Sequence, residues 1–237
     1  MDNKFIINEG KSLFVEYRGQ KFECYAVHTS VVTKDDRLED IVDTFLTPLV
    51  RFGDIVFMSE KMVACTEGRA YRIADIKAGF LATSLSKFVT RSPYGCGLAK
   101  PETMQCAINE VGVVRILAAA FIGAIGKLFG KKGWFYRAAG YRAASIDGPC
   151  DYTLPPYNKY VVLSPSDPDN TAMKVSLQLG GNTVLIIDAN DFGCEILGSS
   201  VKSIDRAMYV ELLRQNPLGQ SCQCTPIGIL RPITDER

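Results

Sequence analysis

The sequence has little histidine and no long uninterrupted apolar run. Its one histidine, His28, lies beside a predicted strand, where a lone histidine is more often structural than catalytic, so we leave it out of the site. The most apolar stretch, 111–125, is interrupted by Gly112, Arg115 and Gly123. Since a membrane span needs about 20 apolar residues, we expect a buried helix here instead.

The sequence also lacks an excess of charge of either sign. Its 27 Lys and Arg residues are balanced by 26 Asp and Glu residues. With no polybasic face or acidic tail, we expect neither nucleic acid nor membrane lipid as a partner. No apolar core follows the first four residues, so we expect no signal peptide and a cytoplasmic location.

The cysteines do not form a disulfide or zinc pattern. Without a secretory signal, dispersed cysteines in apolar segments are expected to be reduced. The dispersed ones are Cys24, Cys65, Cys96, Cys106, Cys150 and Cys194. The close pair, Cys222 and Cys224, lacks the C-x-x-C spacing of zinc knuckles, so we expect reduced thiols without zinc.

The chain shows no internal repeat and no low-complexity linker. Its length suits a single domain, 1–237, with a small basic lobe as a possible insertion near 126–142. Periodicity predicts strands at 21–32, 55–58, 161–163, 183–187 and 227–233, the last as an edge strand. It predicts helices at 35–50, 113–125 and 203–214. A further helix is predicted to begin at Pro101, and another at Thr171 and Ala172. Segments 59–61 and 76–92 are expected to be loops.

Acids follow the most apolar predicted strand. Thr183 to Ile187 are β-branched or aliphatic, and Asp188, Asn190 and Asp191 come next. Two interpretations remain open. These residues either form an ordinary turn with Asx chemistry, or their carboxylates stand at the end of a buried strand and hold a hard divalent cation.

The same order, a strand and then an acid or hydroxyl, recurs at 58–61, 146–149, 163–169 and 187–191. Carboxylates from separate loops would suit a magnesium or manganese site that also uses substrate phosphates. Lys61 and Arg69 are suitable cations for phosphate or carboxylate.

Four of these segments resemble, in this order, the sequence blocks of one family. The blocks are Ser59-x-Lys61 with Thr66-Glu-Gly-Arg69, then Ala144-Ser-Ile-Asp147, Leu163-Ser-Pro-Ser-Asp-Pro-Asp-Asn-Thr-Ala172 and Ile186-Ile-Asp188-x-Asn190. They are similar to those of the coenzyme F-420-0:L-glutamate ligases, over residues 53–193. The resemblance implies an α+β fold with mixed β-sheets and flanking helices, in an intertwined homodimer.

The resemblance also implies a chemistry. A ligase of this family would use GTP as co-substrate and Mg²⁺ or Mn²⁺ to join L-glutamate to a carboxylate of a deazaflavin cofactor, through an acyl phosphate. The resemblance implies Asp147 and Asp188 as metal ligands near the nucleotide phosphates. With the acids after the buried strand and the cation at Lys61, we predict Asp147, Asp188 and Lys61 as catalytic residues and Asp147, Asp188 and Asp191 as metal ligands. The implied nucleotide-site residues are Ser59, Glu67, Gly68, Arg69, Asp167, Asp169 and Asn190.

The sequence departs from the family at two places. Ala64 and Cys65 replace a Ser-Lys pair, and Phe192 to Gly198 replaces an arginine- and glycine-rich run. These departures leave two alternatives open: a nucleotide- and metal-binding homologue without ligase activity, and a folate-type γ-glutamyl ligase.

Overall fold

The structure is a computed structural model that describes residues 5–89, 97–131, 133–191 and 193–233. The chain divides into two compact units. We call residues 1–68 and 165–237 the sheet unit, and residues 69–164 the helical unit. The expected basic segment 126–142 therefore lies inside a much larger inserted unit.

The described strands divide between the two units. Those of the sheet unit are β1 (Phe5–Ile6), β2 (Phe14–Tyr17), β3 (Gln20–Val27), β4 (Ile55–Ser59), β7 (Thr183–Asn190), β8 (Gly193–Ser199) and β9 (Ile227–Pro232). The helical unit contributes β5 (Ala70–Arg72) and β6 (Tyr160–Val162), which pair with each other.

The described helices are likewise distributed over both units. The sheet unit has α1 (Leu38–Ile41) continued by a π-helical turn (Val42–Leu46), α2 (Glu60–Thr66), α8 (Pro168–Gln178) and α9 (Arg206–Leu212). The helical unit has α3 (Phe80–Ser86), α4 (Pro101–Val111), α5 (Val113–Leu128), α6 (Trp134–Ala139) and α7 (Tyr141–Ala144). With mixed strands and helices, the chain has the expected α+β character.

One mixed sheet organises the sheet unit. Its order is β1-β3-β9-β4-β7-β8, with β2 also paired to β3. Strands β4 and β7 pair in parallel, and the other described pairs in this sheet are antiparallel. The C-terminal strand β9 lies between β3 and β4, so its prediction as an edge strand was wrong. Pro232 is tolerated because it is the last residue of the strand, opposite Phe22.

Strand β7 is buried on both faces, as its sequence predicted. Val184 and Ile186 pack into a first core with α8, while Leu185 and Ile187 pack into a second core with α9. The strand continues through Asp188 to Asn190, three residues beyond the predicted end. The acids therefore belong to the strand and its hairpin turn with β8.

Four predictions, two of helices and two of loops, need correction. The predicted loop after β4 is helix α2, whose Met62, Val63, Ala64 and Cys65 are buried. Helix α8 begins at Pro168, not at Thr171, because the Asp167 side chain accepts a hydrogen bond from the Asn170 amide and caps it. The predicted loop 76–92 contains α3, although residues 90–96 lie outside the described ranges. The helix predicted over 35–50 begins only at Leu38.

The helical unit has its own core. Leu98, Met104, Ala107, Ile116 and Val161 are among its buried members. The predicted helix over the apolar stretch is confirmed as α5, but most of it is exposed, so the expectation of a buried helix was wrong. Within the described residues no single helix is long and apolar enough to cross a membrane; α4 and α5 pass that test only as a pair bent by 118°.

Candidate functional site

The parallel strands β4 and β7 end next to each other and bring two predicted site residues together. Their register places Ser59 opposite Ile187, so Asp188 follows directly beside the end of β4. Because side chains alternate along a strand, Asp188 lies on the same face as Val184 and Ile186, beyond the first core. Ser59 is also the residue from which α2 begins.

A second carboxylate, which the sequence did not single out, lies across from Asp188. The antiparallel register of β7 and β8 pairs Asp188 with Glu195. Burial, with these two carboxylates, raises the pKa of the neighbouring Cys194 thiol to about 12. The apolar residues Cys194 and Ile196 on either side of Glu195 were the signal that could have revealed β8 and hence this pair.

The donor set of the sheet unit suits a metal bound partly by its substrate. Among the described residues, no group of three or more His, Cys, Asp and Glu side chains is arranged to hold a metal ion. Asp188 and Glu195 are two carboxylates on neighbouring strands, and Mg²⁺ commonly takes one or two carboxylates together with phosphates and water. Asp191, also predicted as a ligand, accepts a hydrogen bond from Lys11 Nζ at 3.0 Å.

A polar cavity of about 420 Å³ lies within the sheet unit. It is bounded by residues 34–39, by the end of α2 and by the first turns of α8. Lys34, Arg37 and Lys174 supply cations to its lining, and Glu67 and Asp167, both predicted site residues, also line it. This volume falls in the range of small-molecule sites.

The cavity wall joins two segments that are far apart in sequence. Glu67 Oε2 accepts a hydrogen bond of 2.7 Å from the Ser166 amide. Gly68, with φ of +68°, closes α2 in the left-handed conformation that glycine adopts at helix ends. The loop before α8 is therefore held against the end of α2.

Two other predicted nucleotide-site residues have clear structural contacts. Asp169 Oδ1 accepts a hydrogen bond of 2.8 Å from the Ser199 amide, which ties the first turn of α8 to β8. Gly198 makes this approach possible, because a Cβ atom there would lie 2.3 Å from the Pro168 carbonyl carbon. Asn190 pairs with Gly193 where the β7–β8 hairpin turns.

The remaining predicted residues belong to the helical unit. Arg69 donates to the Ser164 carbonyl at 2.6 Å and to Glu110 Oε1 at 2.7 Å, and Arg142 lies 3.4 Å from the same oxygen. Asp147 forms a backbone bridge with Val162 of β6, the strand that also pairs with β5 directly after Arg69. Arg69 and Asp147 thus flank β6 on opposite sides.

The four sequence blocks, which are distributed over the two units, all fall within the match to one protein family. The model described as F420-0:gamma-glutamyl ligase matches residues 26–192. This is more than half of the chain. The chain belongs to the F420-0:gamma-glutamyl ligase family. No match was found among curated proteins.

Membership of the F420-0:gamma-glutamyl ligase family makes the Ala64-Cys65 substitution informative. Both side chains are buried in α2, so the helix presents no cation at these positions. Lys61 lies four residues before Cys65, and residues at i and i+4 share one face of a helix. Lys61 is therefore the cation of α2 closest in position to the missing lysine.

Proposed function

We propose that the protein is a GTP- and divalent-metal-dependent γ-glutamyl ligase that adds L-glutamate to a carboxylate of a deazaflavin cofactor or a related acceptor. The observation that carries the proposal is the meeting of family blocks within the sheet unit. The Glu67–Ser166 hydrogen bond joins the block around 59–69 to the block at 163–172. The β4–β7 register sets Ser59 beside Asp188. A homodimer remains a prediction.

The proposed reaction needs an activated carboxylate, because an amine does not displace the oxygen of a free carboxylate. The acceptor carboxylate oxygen attacks the γ-phosphorus of GTP, and GDP leaves. The glutamate amine then attacks the acyl carbon of the acyl phosphate, inorganic phosphate leaves, and the nitrogen loses a proton. The protein's contribution is to position the reactants and to neutralise the phosphates.

Asp188 and Glu195 are the residues of the sheet unit that would hold Mg²⁺ or Mn²⁺. The metal supplies positive charge for the phosphate oxygens when it is bound. Asp188, on a strand buried on both faces, is held in a fixed position by the sheet. Asp147 remains a predicted ligand in the helical unit.

The cavity at the start of α8 is the candidate for the nucleotide because of its size. Its lining carries three cations, Lys34, Arg37 and Lys174, and five acids, Asp35, Asp36, Glu39, Glu67 and Asp167, so a nucleotide would enter with its divalent metal. Backbone amides at the first turn of a helix favour anions. The cap made by Asp167 occupies the Asn170 amide.

A second candidate function is nucleotide and metal binding without ligation. The buried Ala64 and Cys65 favour it, because a phosphate-side cation of the family is absent from these positions. Lys61 distinguishes the two candidates. If Lys61 replaces that cation, Lys61→Met abolishes turnover; under the binding candidate there is no turnover to lose.

The test is phosphate release from purified protein with GTP, Mn²⁺ and L-glutamate, across acceptors that include the deazaflavin cofactor and folates. We expect release that requires glutamate and one acceptor, with mass spectrometry showing a glutamate added to that acceptor. Binding of GTP and Mn²⁺ by calorimetry without release under any acceptor would support the second candidate. Absence of both binding and release would contradict both.

A matched pair of variants tests the metal assignment. Asp188→Asn is expected to weaken Mn²⁺-dependent GTP binding at least a hundredfold, because it removes one of the two carboxylates. Asp205→Asn makes the same chemical change at an acid that caps α9 by accepting from the Met208 amide. We expect Asp205→Asn to bind normally, and equal binding by both variants would remove Asp188 from the metal site.

A further inference from the structure

Helix α5 carries an exposed apolar stripe. Val114, Leu117, Phe121 and Leu128 are 82%, 45%, 68% and 85% exposed. Their spacings of three, four and seven residues place them on one side of the helix. Phe129, which follows the helix, is 72% exposed. Most large apolar side chains of this helix therefore face solvent.

The opposite side of α5 is already packed. Ile116 and Ala119 are buried, and the two inward glycines admit α6. A Cβ atom at Gly123 would lie 2.9 Å from Phe135 Cβ, and one at Gly126 would lie 2.9 Å from Trp134 Cγ. The helix is thus apolar on two sides while only one contributes to the core. A helix that is apolar all round is typical of a buried or membrane-contacting position.

The chain around the end of α5 is rich in cations. Residues 111–146 contain no Asp or Glu but six basic residues, of which Arg115 donates to the Ala138 carbonyl and Arg142 pairs with Glu110. Lys127, Lys131 and Arg137 are exposed. Lys127 donates to the Phe88 carbonyl at 2.6 Å, and the Phe88 ring is 73% exposed. The end of α5 therefore presents exposed apolar rings together with exposed cations.

This charge distribution favours one of two occupants of the surface. In a twofold contact that placed the stripe on the symmetry axis, the cations of the two copies would oppose one another, and this stretch has no acids to pair with them. An anionic lipid surface offers phosphate groups to the cations and an acyl boundary to the apolar side chains. Amphipathic helices with Lys, Arg, Phe and Leu bind in the plane of such surfaces.

We propose that the exposed stripe of α5, with Phe88 and Phe129, docks on an anionic lipid bilayer surface. Helix α5 lies in the plane of the interface, along roughly 24 Å from the standard rise per residue. The sequence-based expectation of no membrane partner used the net charge of the whole chain. That average conceals a helical unit with 13 basic residues and 5 acids.

Flotation of the full chain with lipid vesicles tests the proposal. We expect binding to vesicles of phosphatidylcholine and phosphatidylglycerol, and at least tenfold weaker binding to vesicles of phosphatidylcholine alone. Each basic residue near an anionic surface raises the binding constant about fivefold. Binding should also weaken between 0.1 and 0.5 M salt, because the charges become screened.

Two double variants separate the apolar and the charged contributions. Phe121→Asp with Leu128→Asp should weaken vesicle binding at least a hundredfold, since each large apolar side chain contributes about tenfold. Lys131→Glu with Arg137→Glu, both exposed, should weaken it at least tenfold. The matched controls lie in the sheet unit: Phe52→Asp, at a ring that is 99% exposed, and Lys202→Glu, also exposed. Both controls should bind as the unmodified chain does.

Absence of binding to the anionic vesicles by the unmodified chain would overturn the proposal. So would equal loss in the controls and the α5 variants, or a dimer that dissociates on Phe121→Asp with Leu128→Asp while vesicles remain unbound. Hydrogen exchange on the unmodified chain provides a test without variants. Vesicles should protect residues 113–128 and leave the segment around Phe52 unchanged, and the absence of this protection would also count against the proposal.

Discussion

The two units of the chain use charge in opposite ways. The sheet unit contains 14 basic residues and 21 acids, whereas the helical unit contains 13 basic residues and 5 acids. In the sheet unit several acids are bound inside the fold, as Asp54 is by Arg231. In the helical unit many cations are exposed beside apolar side chains. A nearly neutral chain is therefore a combination of an acidic and a basic part.

The largest stability effect is expected when the buried ion pair of the sheet unit is broken. Arg231 binds Asp54 through two hydrogen bonds of 2.9 and 2.7 Å, and Asp54 is 2% exposed. Asp54 also holds the pKa of Arg231 above its usual value through these bonds. Asp54→Ala should cost about 3–5 kcal/mol, because it leaves a mostly buried cation without its partner.

Native-state hydrogen exchange measures this loss separately for each unit. We expect protection to fall in the sheet unit and to persist in the helical unit. Asp40→Ala, at an exposed acid of α1, is the control and should change little. An equal loss of protection in both units would show that they unfold together, which would contradict their separate stabilities.

The corresponding change in the helical unit should have a smaller effect. Glu110 accepts from Arg69 and lies close to Arg142, but both arginines retain some solvent contact. Glu110→Ala is expected to cost about 1–2 kcal/mol, since solvent screens part of the interaction. Denaturant unfolding measures it, with Glu102→Ala on the same helix as the control. A cost equal to that of Glu102→Ala would mean that this network adds nothing to stability.

Asp169 separates a structural from a nucleotide-binding role. Asp169→Ala should cost about 1 kcal/mol through loss of the bond from the Ser199 amide. Asp169→Asn keeps an oxygen acceptor, so its melting temperature should stay near that of the unmodified chain. A raised KM for GTP in Asp169→Asn would show that its charge serves the nucleotide. An unchanged KM would leave Asp169 as the link between α8 and β8.

The smallest effects concern thiol chemistry in both units. Burial raises the pKa of Cys24 and of Cys194 to about 12, and that of Cys106 to about 11. A raised pKa keeps a thiol protonated, so at pH 8 only about one Cys106 in a thousand is a thiolate. Alkylation followed by peptide mass spectrometry should modify exposed Cys222 first. Modification of Cys24 at the same rate would contradict the burial.

Local patterns predicted the elements that carry a strong signal within their own few residues. The strand at 183–187 was found because both of its faces are apolar, and the helix opened by Pro101 because proline suits a first turn. No disulfide joins the seven described cysteines. The order of the blocks around Asp147 and Asp188 was sufficient to indicate the family.

Long-range pairing explains what the sequence did not reveal. The central position of β9 depends on β3 and β4, and Pro232 misled the prediction because its place at the strand end is not visible locally. Lys11 binds Asp191 across 180 positions of sequence. Helix α2 was missed because its polar first residues, Glu60 and Lys61, concealed the apolar turn that follows. The exposed face of α5 was missed because hydrophobicity alone does not say which side is covered.

The two ends of the helical unit are hydrogen-bonded to each other. The Leu163 amide donates to the Arg69 carbonyl at 3.0 Å, and the Arg69 side chain donates to the Ser164 carbonyl at 2.6 Å. The first and last residues of the helical unit therefore lie next to each other, as the ends of an inserted domain do. Its removal requires only a short link between positions 68 and 165, and its insertion into another host loop requires no stretching of that host.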